Sequence, residues 1–218
     1  MVPAFKAKDV GFDRALLGSY GHDDRVCAYP AWKACLDETS DKHTVMIVLA
    51  DKEEIGSEGT TGMQSAIFTD LIDELAASFG VSSAAIRAHS KCLSADVTAA
   101  YDPNYPEVCE KNNSVFLSCG AGIMKFTGAR GKSGSNDANA EFLAYLRNLF
   151  DETGVVWQTG ELGKVDEGGG GTVAKFIAKF NIDTVDIGVP VISMHSPWEV
   201  VSKADLYENY LAFKAFIK

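Results

Sequence analysis

Carboxylates and one histidine recur in this sequence just beyond its extended segments. Asp51-Lys52-Glu53-Glu54-Ile55-Gly56-Ser57 follows Val45 to Ala50, Ser94-Ala95-Asp96 ends a second stretch, and Ser193-Met194-His195-Ser196-Pro197 closes a third. Near the start, Gly21-His22-Asp23-Asp24-Arg25 opens a helix. Carboxylates gathered at one place repel each other and are driven towards protonation. A divalent cation resolves that conflict, and Asp or Glu together with His is a zinc-type donor set. Two cations sharing one carboxylate can hold an activated water and polarise a carbonyl. Adjacent glutamates on a loop diverge, so one can ligate while its neighbour serves as general base. Each piece also has a plainer reading. Glu53-Glu54 alone is solvated charge, Asp23-Asp24 is an N-cap pair, and a lone His195 is a hydrogen-bonded structural residue; His22, His43 and His89 are read as structural or surface residues. Only the joint placement favours a metal.

The elements that must position these groups alternate in period. Val45 to Leu49 is a continuous β-branched and apolar run, which predicts a strand buried on both faces. Ile67, Phe68, Leu71, Ile72, Leu75 and Phe79 fall three and four apart and predict a helix ending at Gly80. An extended stretch follows from about Arg87 to Ala95, then a strand at Ile123 to Thr127. A helix carries Phe142, Leu143, Leu146, Leu149 and Phe150. Val155 to Trp157 is short and extended, and Thr172 to Phe180 is helical after four glycines. Thr184 to Met194 holds one or two strands broken near Gly188 and Pro190, and a last helix carries Leu206, Tyr210, Phe213 and Ile217. This alternation predicts an α/β fold, a three-layer α/β/α sandwich around a mainly parallel, mixed sheet. In such sheets sites lie beyond the carboxyl ends of the strands, where the acidic clusters fall.

Composition excludes several classes. Among 218 residues there are 20 Lys and Arg against 30 Asp and Glu, a net charge of −10. So acidic a chain repels a phosphate backbone, so no nucleic-acid partner is expected. The longest apolar run, Val45 to Ala50, is far too short to span a bilayer, so no membrane partner is expected. The start, MVPAFKAKD, has no apolar signal core, and a cytoplasmic location is expected. Five cysteines form no C-x-x-C and read as reduced thiols. Gly131-Lys132-Ser133 imitates a phosphate loop, but Phe126 stands where its first glycine belongs. Gly168 to Gly171 could offer backbone N–H groups to an anion, but no G-x-G-x-x-G accompanies it, and close approach to a bound peptide or oxyanion at Gly169 and Gly170 is the preferred reading. Asn112-Asn113-Ser114 is a chance glycosylation match.

The blocks YGHDDRVCAY, LADKEEIGSEGTTGMQS, SADVTAAYDPNYPE, TGARGKSGSNDA, WQTGELGKVDEGGGGTVAKF and GVPVISMHSPWEVVSKADLY closely resemble the aspartyl aminopeptidase (aminopeptidase I) family of di-zinc exopeptidases. The resemblance runs in order over essentially the whole chain. It implies that Asp23 bridges two metals, which leaves the helix-cap role to Asp24. It further implies that Glu53 is the general base, Glu54 and His195 are ligands of one metal, and Asp96 is the terminal carboxylate on the other. Zinc is implied, with cobalt or manganese able to take the same donors.

The family's first metal histidine lies in an H-x-D motif well before the HDDR block, with a dimerisation domain between them. Neither is found in this sequence, so residues 1–218 resemble the C-terminal portion of a catalytic domain lacking its N-terminal strands. The implied partners are peptides with a free N-terminus, a large homo-oligomer (commonly a dodecamer), and a companion polypeptide carrying the missing segment. The implied preference for acidic N-terminal residues needs a cation, for which Arg130 and Lys132 are candidates against the reading that they are solvated loop charges. Two rivals stand beside the peptidase: an inactive half with an incomplete metal site, and a nucleotide-binding α/β domain resting on the tetraglycine alone.

Overall fold

Single residues set some of the helix limits in this chain. The computed structural model describes residues 1–130 and 133–218. Along the chain come β1 (Lys8–Val10), β2 (Leu16–Ser19), α1 (His22–Asp37), α2 (Ile67–Phe79), α3 (Ser83–Ala88), β3 (Lys91–Ala95), β4 (Thr98–Ala99), β5 (Ala121–Met124), α4 (Ala140–Thr153), β6 (Trp157–Thr159), α5 (Ala174–Ala178), β7 (Asp183–Gly188), β8 (Pro190–Ile192), β9 (Glu199–Ser202) and α6 (Lys203–Ile217). The Asn139 side chain accepts the Phe142 N–H at 2.7 Å and caps α4. Gly80, at φ +67°, ends α2 in the left-handed conformation that glycine adopts without strain.

The strands pair in two mixed sheets, ordered β1-β2-β9-β8-β4 and β3-β7-β5-β6. Successive residues of β7 point to opposite faces. Val185 and Ile187 join Ile123 of β5, Phe142, Leu146 and Phe150 of α4 and Phe213 of α6 in one core. On the other face Thr184 is the register partner of Cys92. Cys92 and Phe68 of α2 pack against Phe176, Ile177 and Ile182. Helices therefore cover both faces, as the sequence pattern predicts. A further core of Val26, Cys27, Val97, Val189, Val191 and Val201 ties α1 to the second sheet. Among the described residues, no helix is long and apolar enough to cross a membrane.

Several expected elements differ. Val45 to Leu49 is not a strand buried on both faces: it forms no ladder, and Leu49 is 65% exposed. No strand of the described chain lies beside it to take its backbone hydrogen bonds. Arg87 belongs to α3, because Ser82 accepts the Ala85 N–H and starts a helix there, so the strand begins only at Lys91. The strand expected at Ile123 to Thr127 ends at Met124, and the helix expected over Thr172 to Phe180 is limited to Ala174–Ala178. Thr172 is held outside that helix by its hydroxyl's bond to Asp186. The break between two strands at Gly188 to Pro190 is found as expected.

Candidate metal centre

The strand pair β3–β4 runs parallel to β7–β8, and the ladder breaks where Asp96 and Val97 face Gly188 and Val189. Backbone bonds resume on either side, with Asp96 N–H donating to Ile187 O at 3.3 Å and Thr98 N–H to Val189 O at 3.1 Å. A Cβ on Gly188 would stand 1.4 Å from the Asp96 carbonyl oxygen, so glycine is required here. Such interruptions re-aim side chains next to sites, and this one presents Asp96.

Asp23 enters from the start of α1. Its φ/ψ and those of Asp24 are non-helical, and the peptide joining them is cis. Glu53 and Glu54 sit on a 3-10 turn, Glu53–Ile55, flanked by Lys52 and Gly56 in left-handed conformations. His195 lies in the turn between β8 and β9 and is itself left-handed at φ +65°. These loops meet. Ligand atoms of Asp23, Glu54 and His195 lie within 4.8 Å of one another, and so do those of Asp23, Asp24 and Asp96. His195 Nε2 is 2.9 Å from Asp23 Oδ2 and 3.0 Å from Glu54 Oε1. Asp23 is common to both groups.

The electrostatics suit a cation. Burial, then the neighbouring Glu54 charge, pushes the Asp23 carboxyl up to about 6. Burial, with Asp23, Glu53 and Glu54 nearby, pushes Asp24 up to about 8, and burial with Asp24 and Asp23 drives Asp96 well above the usual carboxylate range. Glu53 is raised by burial and by Glu54, opposed by His195 and Lys175. Asp24 Oδ1 is buried without a hydrogen-bond partner. Carboxylates this crowded, with a nitrogen donor and an orphaned oxygen, fit a divalent metal.

Of the residues singled out in the sequence, Asp23, Glu54, Asp96 and His195 are brought together, with Glu53 beside them. Asp24 corrects one expectation. It makes no side-chain cap bond at the start of α1, because it turns into the carboxylate group instead. Arg130 is exposed and left-handed, and it reaches the tetraglycine through its backbone, its N–H donating to Gly168 O at 2.8 Å. Lys132 lies outside the described residues. Gly169 (φ +94°) packs against Gly128, whose carbonyl oxygen would be 2.2 Å from a Cβ there, while a Cβ on Gly170 would have room. The close approach seen is thus between two loops of the chain.

Sequence reasoning missed Glu199. It is 2% exposed, and its two oxygens accept the backbone N–H groups of Asp23 (3.1 Å) and His195 (2.8 Å). One carboxylate therefore clamps the backbones that carry two of the grouped donors. The only hint was an acidic residue opening the apolar segment Glu199-Val200-Val201, four positions after His195. Lys175, four residues beyond the tetraglycine, was also passed over, although its charge reaches Glu53.

Comparison with known proteins gives the family. Residues 1–217 match the family described as aminopeptidase I zinc metalloprotease (M18). A probable M18 family aminopeptidase 1 of Clostridium acetobutylicum is 48% identical over 221 residues, covering 100% of this chain and 48% of the relative. A crystal structure of aminopeptidase I from that organism superposes with a TM-score of 0.94 over 100% of this chain and 47% of the other. The crystal structure of the Thermotoga maritima M18 aminopeptidase, 42% identical, gives 0.95 over 100% and 49%. The mApe1 dodecamer of yeast, 23% identical and covering 99% and 48%, shares the fold with a TM-score of 0.80. The chain thus spans about half the length of the relatives it matches. It belongs to the aminopeptidase I zinc metalloprotease (M18) family.

Proposed function

We propose that this chain is the C-terminal portion of a metalloaminopeptidase catalytic domain, one that removes acidic N-terminal residues from peptides at a pair of zinc ions. The observation carrying this reading is that Asp23 is shared by two donor groups, one with Glu54 and His195 and one with Asp24 and Asp96. Asp23, Glu54 and His195 would hold one ion; Asp23 and Asp96 would hold the other, with its histidine supplied from outside this chain. What the ions contribute when bound is Lewis acidity, which lowers the pKa of a water and polarises the scissile carbonyl. Cobalt or manganese fits the same donors.

Glu53 is the general base. Its carboxylate takes a proton from the attacking water and delivers it to the nitrogen of the departing amine. Half-burial and the Glu54 charge raise its pKa from the ordinary glutamate value, which favours it as a proton carrier. The substrate's α-amino group sits among the carboxylates, which limits cleavage to the first peptide bond. Gly169 and Gly170 line the path of the peptide, and Arg130 and Lys132 supply the cation for an acidic side chain. The assembled enzyme is a homo-oligomer of the kind seen in the yeast mApe1 dodecamer.

A second reading is an inactive half with one loose metal position. It is favoured by the group Asp23, Asp24 and Asp96, which among the described residues contains no nitrogen donor. Zinc content and hydrolysis of aspartyl and leucyl anilides, measured on one preparation, separate the two. About two zinc ions per chain with turnover that prefers the aspartyl substrate supports a complete site. One ion or none, with no turnover, supports the inactive half.

A further inference from the structure

We propose that Asp186 is a positioning residue for the substrate's side chain, holding the two glycine-rich loops of the proposed pocket against each other from inside the protein. This rests on the function proposed above, which places Arg130 on one loop and Gly169 and Gly170 on the other. The first loop joins β5 to α4 and the second joins β6 to α5. Asp186 belongs to β7 and is fully buried. Its neighbours Val185 and Ile187 point into the main core, so Asp186 faces the opposite side of the sheet. There the Thr172 hydroxyl, directly after the tetraglycine, donates to Asp186 Oδ1 at 2.7 Å. The Thr127 hydroxyl, at the start of the other loop, donates to Oδ2 at 3.3 Å. Each oxygen thus serves one loop.

Three observations carry this role. First, burying a carboxylate is costly, and an apolar side chain would fill the same place in the sheet at lower cost. What the carboxylate adds is a pair of acceptors, and both are used by buried threonines from separate loops. Second, the loops meet each other further out. The Arg130 N–H donates to Gly168 O at 2.8 Å, and Gly169 packs so closely on Gly128 that a Cβ would stand 2.2 Å from its carbonyl oxygen. Contacts this tight hold only if the inner ends of both loops are fixed relative to each other. Third, β7 also grips the returning leg of the first loop, where Asn136 Nδ2 donates to Thr184 O at 2.7 Å. Arg130 follows Thr127 by three residues, and Gly170 precedes Thr172 by two. A shift at either threonine therefore moves a wall of the pocket.

The test compares Thr172→Val, Thr127→Val, Asp186→Ala and Asp186→Asn in the full chain, with Thr184→Val as control. Hydrogen exchange of the Arg130 N–H is the first readout, because that group joins the loops and is bonded to none of the altered residues. Losing a bond to a charged acceptor should speed it by about 10- to 100-fold in Thr172→Val and Asp186→Ala, and by less in Thr127→Val, whose bond is longer. Asp186→Asn should keep it slow, since an amide accepts from one hydroxyl and donates to the other. Thr184→Val removes a buried hydroxyl bond to Ile182 O on the same strand and should leave Arg130 unchanged. In turnover, Thr172→Val should raise KM for the aspartyl anilide about 10-fold and leave kcat and the leucyl KM in place. If Asp186→Ala loses the native circular dichroism, the valine variants decide. Unchanged Arg130 exchange in Thr172→Val, acceleration that extends equally to Leu146 in the main core, or equal acceleration in Thr184→Val would each overturn the proposal. So would faster exchange with an unaltered preference for the aspartyl over the leucyl substrate. A chain without turnover in any form counts against the peptidase reading alone, and the exchange pattern then decides this one.

Discussion

Glu199 offers the sharpest perturbation because both of its oxygens are committed. In Glu199→Gln one oxygen remains to accept, and the new amide turns an N–H towards a backbone N–H that is itself a donor. Hydrogen bonds to a charged group contribute about 1.5–3 kcal/mol each. Losing one of the bonds to Asp23 or His195 in a site only 2% exposed should therefore cost about 2–3 kcal/mol of stability. Loosening the backbone under two donors should also weaken zinc binding by about 10- to 100-fold, the usual effect of removing an orienting partner. Urea unfolding of the metal-free chain measures the first, and zinc titration calorimetry measures the second. Asp205→Asn is the control. Asp205 accepts the N–H groups of Ser118 and Gly120, both at 2.7 Å, away from the metal centre, so the variant should lose stability and keep its zinc affinity. Glu199 is no such clamp if Glu199→Gln stays within about 0.5 kcal/mol of the parent, or if it and Asp205→Asn leave zinc affinity equally unchanged.

Gly188→Ala should drop the urea midpoint by an amount worth at least about 2 kcal/mol and weaken zinc binding, since the new Cβ falls on the Asp96 carbonyl; an unchanged midpoint would show that the ladder break is not obligatory. Asp186 is buried, bonded to the Thr172 and Thr127 hydroxyls, and pushed up to about 6 by burial. Its folded pKa lies above its unfolded one, so its contribution is complete below about pH 4 and is lost as pH rises through 6. Against Asp186→Asn, the parent should therefore lose about 2 kcal/mol between pH 4 and pH 7; parallel pH profiles would contradict this. Phe150→Ala, with the parent side chain fully buried in the main core, should cost about 3–5 kcal/mol by urea denaturation, and a cost below 1 kcal/mol would misplace that core.

The helices α2 and α4 were legible because a 3.6-residue apolar period marks both, and for α2 a glycine stop at Gly80 agrees with it. The strands β7 and β8 were legible because Gly188 and Pro190 punctuate an otherwise continuous β-branched run. The hairpin β1–β2 and its partner β9 were not, since segments of three or four residues are too short to carry a periodic signal. Val45–Leu49 shows the opposite failure. Its composition predicts a strand buried on both faces, yet pairing is a tertiary property and no described strand reaches it. The ligand candidates were readable as residue types beyond extended segments. Which group each joins depended on the non-helical turn at Asp23-Asp24 and the ladder break at Gly188, and only three-dimensional structure shows these. Glu199 escaped notice because a buried carboxylate that serves backbone N–H groups looks, in sequence, like any surface glutamate.

Asp23 is common to both donor groups, so its removal should undo the whole metal centre. Zinc titration of the chain beside its Asp23→Ala and His195→Ala variants, with circular dichroism to verify folding, tests it most directly. Asp23→Ala should abolish all zinc binding above background, and His195→Ala should remove only the binding shared with Glu54. Zinc binding by folded Asp23→Ala at the parent affinity and stoichiometry would contradict it.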